Sequence, residues 1–331
     1  MAEQDFHEVD SELVSAATTA AVVAELAELE DRARQFAEKS RAESTLRAYD
    51  SDLRDFQSWC VDHQLQPLPA EPLTIATYLT ALAEASKSPA TIRRRLASIS
   101  VAHQLAGFET PTSDAIVRSV WAGIRRDKGM EPSKVQAART KLVTAMVAPL
   151  GDRLIDVRDR ALLLMGFAGA LRRSELVAFN VDDITEDEAG LILLIRKSKT
   201  DQEAKTTKVG IPYGSHPATC PVRAWRAWRN ASGIDGGPAF RAIDRHENMR
   251  STRLSDRAVA NMVKRRAAAA GLDGLFSGHS MRSGFATEAY AKGTAELAIM
   301  RHGRWKSNAT MRGYVEEGGI WNDNAAARLG L

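Results

Sequence analysis

A histidine and an arginine stand three positions apart in the segment GHSMRSGFA, at His279 and Arg282. On a helix, positions i and i+3 share a face, so we expect both side chains to point the same way. Imidazole can move a proton near neutral pH, and guanidinium offers a fixed fork of donors that fits a phosphate. The small residues around the pair are expected to let a bulky anion come close. Taken alone, however, the pair is better explained as part of a solvated helix face.

Four further side chains in the second half of the chain could join this pair in one reaction. A second guanidinium can neutralise the non-bridging oxygens of a phosphodiester as charge develops in a pentacoordinate transition state. A lysine on a hairpin can protonate a leaving oxygen, and a tyrosine hydroxyl becomes a usable nucleophile beside cations and a base. The candidates for these three roles are Arg172, Lys199 and Tyr314, and Trp305 is the fourth candidate residue in this half of the chain.

Each candidate also has a structural alternative. Arg172 is compatible with a solvated helix start, and Lys199 competes with several other lysines of the same hairpin. Trp305 and Tyr314 are compatible with core packing. Taken together and in this order, the alternatives explain the pattern poorly. No cluster of Asp, Glu or His with metal-site spacing stands out in the sequence, so we expect neither a metal nor another cofactor.

The elements that must carry these residues are mostly helical. Apolar residues recur at helical spacing in four segments of residues 41–129, which predicts a compact all-helical unit. Residues 130–140 break this periodicity and are interpreted as a linker. Residues 141–331 contain further helices and two β-prone runs around a polar centre, LILLIRKSKTDQEAKTTKVGIPY, which predict a β-hairpin. The predicted fold is mainly α, with a small β-hairpin or sheet in the second unit.

Composition and charge indicate the class of partner and exclude some classes of protein. The 331 residues carry 45 Lys and Arg against 42 Asp and Glu, a net charge of +3. Residues 1–40 hold ten acidic and three basic groups and are predicted to be an acidic leader that is helical or partly disordered. The remaining residues have 42 basic and 32 acidic groups, a net charge of +10. A basic body favours a polyanionic partner, with nucleic acid as the first candidate. Two distant cysteines and no apolar run of membrane length argue against a disulfide scaffold and a membrane protein, so a cytoplasmic location is expected.

The order of these motifs resembles the catalytic half of the tyrosine recombinases. The resemblance rests on GALRRSEL, the hairpin lysine, H-x-x-R, GRW, and a tyrosine nine residues after the tryptophan. STLRAYDSDLRDFQSWC and SPATIRRRLASI are similar to the core-binding domain of that family, so the resemblance spans about residues 41–331. Most members have a second histidine where Trp305 falls, and tryptophan is the variant of the Cre-like simple recombinases.

The resemblance implies a role for each reacting group. It implies that Tyr314 attacks the scissile phosphate and gives a 3′-phosphotyrosine and a free 5′-hydroxyl. Arg172 and Arg282 would hold the phosphate. Lys199 would protonate the 5′ oxygen, and His279 would assist proton transfer.

The resemblance also implies supporting residues and DNA contacts. Trp305 would support the phosphate and the packing around it, and Glu175, one helical turn after Arg172, would brace the site. An arginine run on the third of the four predicted helices in residues 41–129 and a position on a groove-entering helix of the catalytic domain would contact DNA. With one weaker candidate for a phosphate contact, the residues in this group are Arg93, Arg94, Arg95, Arg257 and Arg47.

A recombinase-like architecture is a two-domain, C-shaped clamp on double-stranded DNA, with a C-terminal helix exchanged between protomers. Two protomers would bind an inverted-repeat site, and two sites would synapse as a tetramer. The protein would associate with the nucleoid when bound to DNA. Two alternatives stay open: a strand-passing enzyme of the type IB topoisomerase or telomere resolvase kind, and a regulator that keeps the fold and binds DNA without cleaving it.

Overall fold

The chain divides into two compact units, Met1–Pro132 and Ser133–Leu331. Among the residues that the structure describes, helices dominate both units and the second unit also holds two small antiparallel sheets, which confirms the predicted mainly α fold class. Within the described residues, no helix is long and apolar enough to cross a membrane. The structure is a computed structural model that describes residues 25–29, 31–32, 43–129, 136–196, 206–319 and 329. The predicted acidic leader therefore lies largely outside the described residues.

Residues 43–129 of the N-terminal unit form four α-helices. They are α1 (Glu43–Asp62), α2 (Pro72–Glu84), α3 (Pro89–Leu105) and α4 (Ala115–Lys128). Side-chain caps begin two of them, because Ser88 and Asp114 accept hydrogen bonds from backbone N–H groups in the first turns of α3 and α4. The apolar faces of the four helices meet in one core, which includes Phe56, Ile75, Leu79, Ile92, Ile99 and Val117.

The arginine run on α3 divides between surface and core. Arg93 is exposed, whereas Arg95 is only 9% exposed and pairs with Asp55. Arg95 follows Ile92 by three positions and precedes Ile99 by four, so helical periodicity puts it on the core face. The prediction that Arg95 contacts DNA is therefore wrong, because its guanidinium is held inside the helical unit.

Arg94 also has a structural partner. Its Nε and Nη2 donate to the two carboxylate oxygens of Asp52 at 2.8 and 2.9 Å. Asp52 is 3% exposed, and this bidentate pair offsets the burial of its charge. About half of the Arg94 side chain remains accessible. Arg94 thus ties α3 to α1, and a DNA contact by this residue stays a prediction.

The C-terminal unit interleaves helices with short strands. It contains α5 (Thr140–Val147), α6 (Leu154–Ala168), α7 (Arg173–Ala178), β1 (Ile184–Asp187), β2 (Gly190–Ile195), β3 (Thr207–Pro212), α8 (Pro221–Ser232), β4 (Arg241–Ile243), β5 (Met249–Arg253), α9 (Asp256–Ala269), α10 (Ser280–Ala291), α11 (Glu296–Gly303) and α12 (Asn308–Gly319). The large core of this unit is lined mainly by α5, α6, α8, α9 and the first sheet.

Strand β2 is the centre of the first sheet. Leu193 on β2 lies opposite Ile184 on β1 and Val209 on β3, and all three side chains are buried. The antiparallel β2–β3 pair confirms the predicted hairpin, while residues 197–205 between the strands lie outside the described residues. The sequence analysis did not predict the β4–β5 pair, because the two strands have only three and five residues, contain several arginines and lie mostly at the surface.

The end of the predicted linker belongs structurally to the C-terminal unit. Ala138 is fully buried, and its N–H donates to the carbonyl of Ser280 at 2.8 Å. A Cβ atom on Gly284 would lie 2.1 Å from the carbonyl oxygen of Ala138. Residues 136–139 therefore run directly against α10, the helix that follows His279 and carries Arg282.

Candidate active site

The turn that joins α6 to α7 brings Arg172 and Glu175 together. Arg172 occupies the N-cap position of α7, and its backbone N–H donates to Oε2 of Glu175 at 3.0 Å. Its Nη1 donates to Oε1 of the same carboxylate at 2.5 Å. Because Glu175 is 2% exposed, the carboxylate orients the Arg172 guanidinium from inside the protein.

Arg282 lies on α10 and is 1% exposed. Its Nη1 donates to the carbonyl of Ala170 at 2.5 Å, and its Nη2 donates to the carbonyl of Gly303. The guanidinium carbon lies 4.2 Å from the centroid of the Trp305 ring, which is a cation–π contact. Two carbonyls and one aromatic face therefore fix the position of this side chain.

Trp305 connects Arg282 to Tyr314. The ring centroids of Trp305 and Tyr314 are 5.5 Å apart, with the planes tilted by 56°. The backbone carbonyl of Tyr314 accepts a hydrogen bond from Thr287 Oγ1 at 2.8 Å, which joins α12 to α10. A separate small apolar cluster supports this arrangement, formed by Ala170, Ala286, Ile299, Trp305, Met311 and Val315.

The turn after α11 depends on Gly303. A Cβ atom at this position would lie 1.6 Å from a carbon of the Trp305 ring. A larger residue would therefore displace the ring on which the Arg282 guanidinium rests. The glycine of the GRW motif is thus a packing requirement of the site.

Arg304 joins the site although the sequence analysis did not name it as a candidate. Its Nη2 donates to Oε2 of Glu175 at 2.8 Å and to the carbonyl of Ala170 at 3.1 Å. Its Nη1 donates to the carbonyl of His302 at 2.8 Å. The position of Arg304 directly before Trp305 in the GRW motif was the one sequence feature that could have indicated its role. A motif gives the spacing of residues, however, and not the direction in which a side chain points.

Two guanidinium groups, those of Arg172 and Arg304, therefore bind the Glu175 carboxylate, and the guanidinium of Arg282 lies near enough to interact with it electrostatically. Burial disfavours ionisation of Glu175, but the charges and hydrogen bonds of Arg304 and Arg172 more than offset burial and hold the Glu175 pKa below its ordinary value. Burial, and then repulsion from Arg172 and Arg304, lowers the Arg282 pKa to about 9. Burial also lowers the pKa of Arg304, although Glu175 opposes this shift. With three positive groups and one negative group, the cluster has a charge of +2 that a phosphodiester can offset.

His279 occupies a different environment from Arg282. It lies at the N-cap position of α10 and is exposed, whereas Arg282 is buried. α10 begins at Ser280, but the backbone of His279 is already helical (φ −82°, ψ −19°), and its carbonyl accepts a hydrogen bond from the Ser283 N–H at 3.0 Å. The predicted shared face of His279 and Arg282 stays a prediction. Lys199, the predicted proton donor, lies outside the described residues.

The small residues near this pair serve internal packing. Those that are buried are Ser280, Ser283, Gly284 and Ala286. As the Ala138 carbonyl already fills the space beside Gly284, the expectation that these residues make room for an anion is wrong.

The remaining predicted DNA contacts lie at the surface of helices. Arg47 is exposed on α1, Arg93 on α3 and Arg257 near the start of α9. Ser255 caps α9 by accepting a hydrogen bond from the Ala258 N–H at 3.1 Å, which fixes where the helix carrying Arg257 begins. These positions permit contacts with DNA, and the contacts themselves stay predictions.

Two family models match this chain. The model described as "Phage integrase family" matches residues 138–318, more than half of the protein. The model described as "Phage integrase, N-terminal SAM-like domain" matches residues 34–107. The chain belongs to the phage integrase family. It is thereby a tyrosine recombinase, an enzyme of site-specific DNA recombination.

The recombinase has relatives along most of its length. It is 40% identical over 307 residues to an integrase/recombinase XerD homolog of Selenomonas ruminantium, which covers 90% of this chain and 89% of the relative. It is 23% identical over 301 residues to recombinase Cre of Escherichia phage P1, covering 83% of this chain and 84% of Cre. A solved structure of a lambda integrase dimer bound to a COC′ core site covers 89% of this chain and 78% of that chain, with a TM-score of 0.58 and 16% identity. The structural likeness shows a shared fold.

Proposed function

We propose that the recombinase cleaves and rejoins DNA at a specific site through a 3′-phosphotyrosine formed by Tyr314. The observation that carries the proposal is the placement of a partly exposed tyrosine next to a buried cationic cluster. The Tyr314 ring neighbours Trp305, whose face holds the Arg282 guanidinium at 4.2 Å, and Arg172 is bound to Glu175 in the same cluster. A phosphate that met both arginines would lie near the tyrosine.

The proposed chemistry conserves phosphodiester bonds. Tyr314 Oη attacks phosphorus, the bond to the 5′ oxygen breaks, and Lys199 gives that oxygen a proton, while Arg172 and Arg282 neutralise the non-bridging oxygens. The tyrosine proton leaves to solvent or base, with His279 assisting. A 5′-hydroxyl of the recombining strand then attacks the phosphotyrosine and releases the enzyme. One ester replaces another at each step, so the proposed reaction needs neither ATP nor a metal ion.

We also propose that two protomers bind an inverted repeat and that two such sites synapse as a tetramer. A lambda integrase dimer on a core site and a XerH recombinase on a palindromic difH substrate are among the solved structures of the same fold, which supports this reading. In this proposal, residues 41–129 are the core-binding domain, residues 141–331 the catalytic domain with an exchanged C-terminal helix, and the exposed arginines contact DNA.

The test uses purified protein in EDTA and a library of randomised duplexes that carry nicks. The mixture is denatured, and DNA that remains covalently attached to protein is sequenced. We expect adducts from the wild type and none from Tyr314→Phe. Tyr290→Phe is a matched control, because Tyr290 is a partly buried tyrosine packed against the same apolar cluster.

The outcomes separate the proposal from its alternatives. Adducts lost in Tyr314→Phe and retained in Tyr290→Phe support the proposed nucleophile and give the half-site sequence. DNA binding without any adduct would favour a regulator that does not cleave. Adducts and plasmid relaxation without strand exchange between two sites would favour a topoisomerase.

A further inference from the structure

We propose that Arg304 is a positioning residue that couples Arg172 to Arg282 through the Glu175 carboxylate and the Ala170 carbonyl. The inference deepens the proposed function and rests on the roles given there to Arg172 and Arg282. It assigns to Arg304 the task of keeping both phosphate-binding guanidinium groups in one arrangement.

Two shared acceptors carry the inference. The Glu175 carboxylate accepts from Arg172 Nη1 at 2.5 Å and from Arg304 Nη2 at 2.8 Å. The Ala170 carbonyl accepts from Arg282 Nη1 at 2.5 Å and from Arg304 Nη2 at 3.1 Å. Arg304 Nη2 therefore shares one hydrogen-bond acceptor with Arg172 and another with Arg282. A movement of the Arg304 guanidinium would disturb both of these arginines, which are proposed to bind the phosphate.

The second end of the fork is also committed to the protein. Arg304 Nη1 donates to the carbonyls of His302 at 2.8 Å and Gly169 at 3.3 Å. Each terminal nitrogen of Arg304 thus has two protein acceptors, which use all four of its terminal N–H groups, whereas each terminal nitrogen of Arg282 has one protein acceptor among the described residues and keeps an N–H for a phosphate. Arg304 is therefore not placed to hold a phosphate itself. It acts through its neighbours.

The backbone of Arg304 supports a functional rather than an incidental placement. Its φ of 59° and ψ of 42° lie in the left-handed region, which glycine adopts much more readily than arginine. Its Nε is buried without a hydrogen-bond partner among the described residues. Both features are unfavourable for stability, so an arginine at this position is best explained by what its terminal nitrogens hold.

A series of substitutions separates this role from general stability. Arg304→Gly suits the left-handed backbone and removes the fork. Arg304→Lys keeps a positive charge that can pair with Glu175, but a single ammonium cannot reproduce the planar fork. Arg301→Gln is the control, because Arg301 is an exposed arginine on α11 just before the site.

The experiment measures single-turnover adduct formation on the nicked duplex recovered by the library selection, with DNA binding measured in parallel. We expect Arg304→Gly to bind the duplex as the wild type does and to form adduct at least ~10-fold more slowly, because misplacing a reacting group by about 1 Å can lower a rate on the order of 100-fold. Arg304→Lys should fall between the wild type and Arg304→Gly. Arg301→Gln should stay within about twofold of the wild type, because its side chain is outside the cluster.

A second substrate distinguishes positioning of phosphate ligands from loss of structure. A methylphosphonate at the scissile linkage has a methyl group in place of one charged oxygen. Arg172 and Arg282 therefore have less negative charge to neutralise. We expect the ratio of wild-type to Arg304→Gly rates to shrink on this linkage, whereas a general structural defect would leave the ratio unchanged and overturn the inference. If Arg304→Gly fails to bind DNA, the same ratio is measured with Arg304→Lys and decides in the same way.

This experiment distinguishes a failure of the proposed function from a failure of the role proposed for Arg304. A wild type that forms no adduct would overturn the proposed function and the inference together. A wild type that forms adduct at the same rate as Arg304→Gly and Arg304→Lys would overturn the inference alone.

Discussion

Glu175→Gln removes the negative charge that Arg172 and Arg304 share, while it nearly preserves the shape of the side chain. The carboxylate is 2% exposed and accepts hydrogen bonds from Arg172 and Arg304. It also supports the protonated form of Arg282, whose pKa is already lowered to about 9 by burial and by the other two arginines. Without the carboxylate, three positive groups would face one another in the interior of the DNA-free protein.

The expected loss of stability is large for one substitution. Removing one partner of a buried ion pair costs ~3–5 kcal/mol, and the retained amide oxygen of glutamine, which can still accept a hydrogen bond, favours the lower end. For a unit of about 200 residues, each kcal/mol lowers Tm by ~2–4 °C. We therefore expect Glu175→Gln to lower the Tm of the C-terminal unit by ~6–12 °C at pH 7.

Calorimetry at several pH values checks both the size and the cause of this effect. Because the folded-state pKa of Glu175 lies below its ordinary value of 4.5, the carboxylate stabilises the fold above that pH and the benefit is lost as the pH falls through the folded pKa. The Tm difference between wild type and Glu175→Gln should therefore be full at pH 7 and shrink in acid. Glu296→Gln, which removes a partner of exposed Arg312, should leave Tm nearly unchanged.

Two results would refute the reasoning on Glu175. One is a Glu175→Gln protein that melts within about 2 °C of the wild type at pH 7, since even the lower estimate is larger. The other is a Tm difference that stays constant as the pH is lowered, which would assign the effect to packing and not to charge.

Three further predictions concern other residues. Arg95→Met removes a buried guanidinium that pairs with Asp55 and donates to the buried Tyr78 hydroxyl at 2.7 Å, and it should destabilise the N-terminal unit by about 1–3 kcal/mol in urea. Arg93→Met should leave the unfolding curve unchanged, and equal curves for the two variants would contradict the core position of Arg95. Arg93→Met should instead weaken DNA binding and reduce the slope of log K against log salt by about 1 in fluorescence anisotropy, and an unchanged slope would remove Arg93 from the phosphate contacts. Gly303→Ala would drive a Cβ atom to 1.6 Å from the Trp305 ring and should lower the rate of adduct formation by ~100-fold; a rate near that of the wild type would contradict the packing of the turn.

The features that sequence predicted well depend on short-range periodicity. Four helices of the N-terminal unit follow from the helical spacing of apolar residues, and the β2–β3 hairpin follows from two β-prone runs around a polar centre. The resemblance to the family implied that Glu175 braces the site, and its contact with Arg172, three positions earlier, is short-range as well. The helical spacing of Ile92, Arg95 and Ile99 also indicates a core position for Arg95, although a run of three arginines is typical of an exposed helix face.

The features of the site that could not be predicted from the sequence depend on contacts between segments that are distant in the chain. Arg282 meets Ala170 across 112 positions, and Arg304 meets Glu175 across 129, so no local pattern links them. Resemblance to a family supplied the list of reacting residues without their environment. It therefore could not predict that Arg282 is buried on the Trp305 ring while His279 is exposed.

The most direct test of the account identifies both atoms of the covalent link. The denatured adduct is digested with trypsin, and the DNA-linked peptide is analysed by mass spectrometry, while the cleaved DNA end is labelled with polynucleotide kinase without phosphatase treatment. The account predicts DNA on Tyr314, in the peptide that follows Arg312, joined through a 3′-phosphate and leaving a 5′-hydroxyl that accepts the label. DNA linked to another residue such as Tyr290, or linked through its 5′ end, would contradict it.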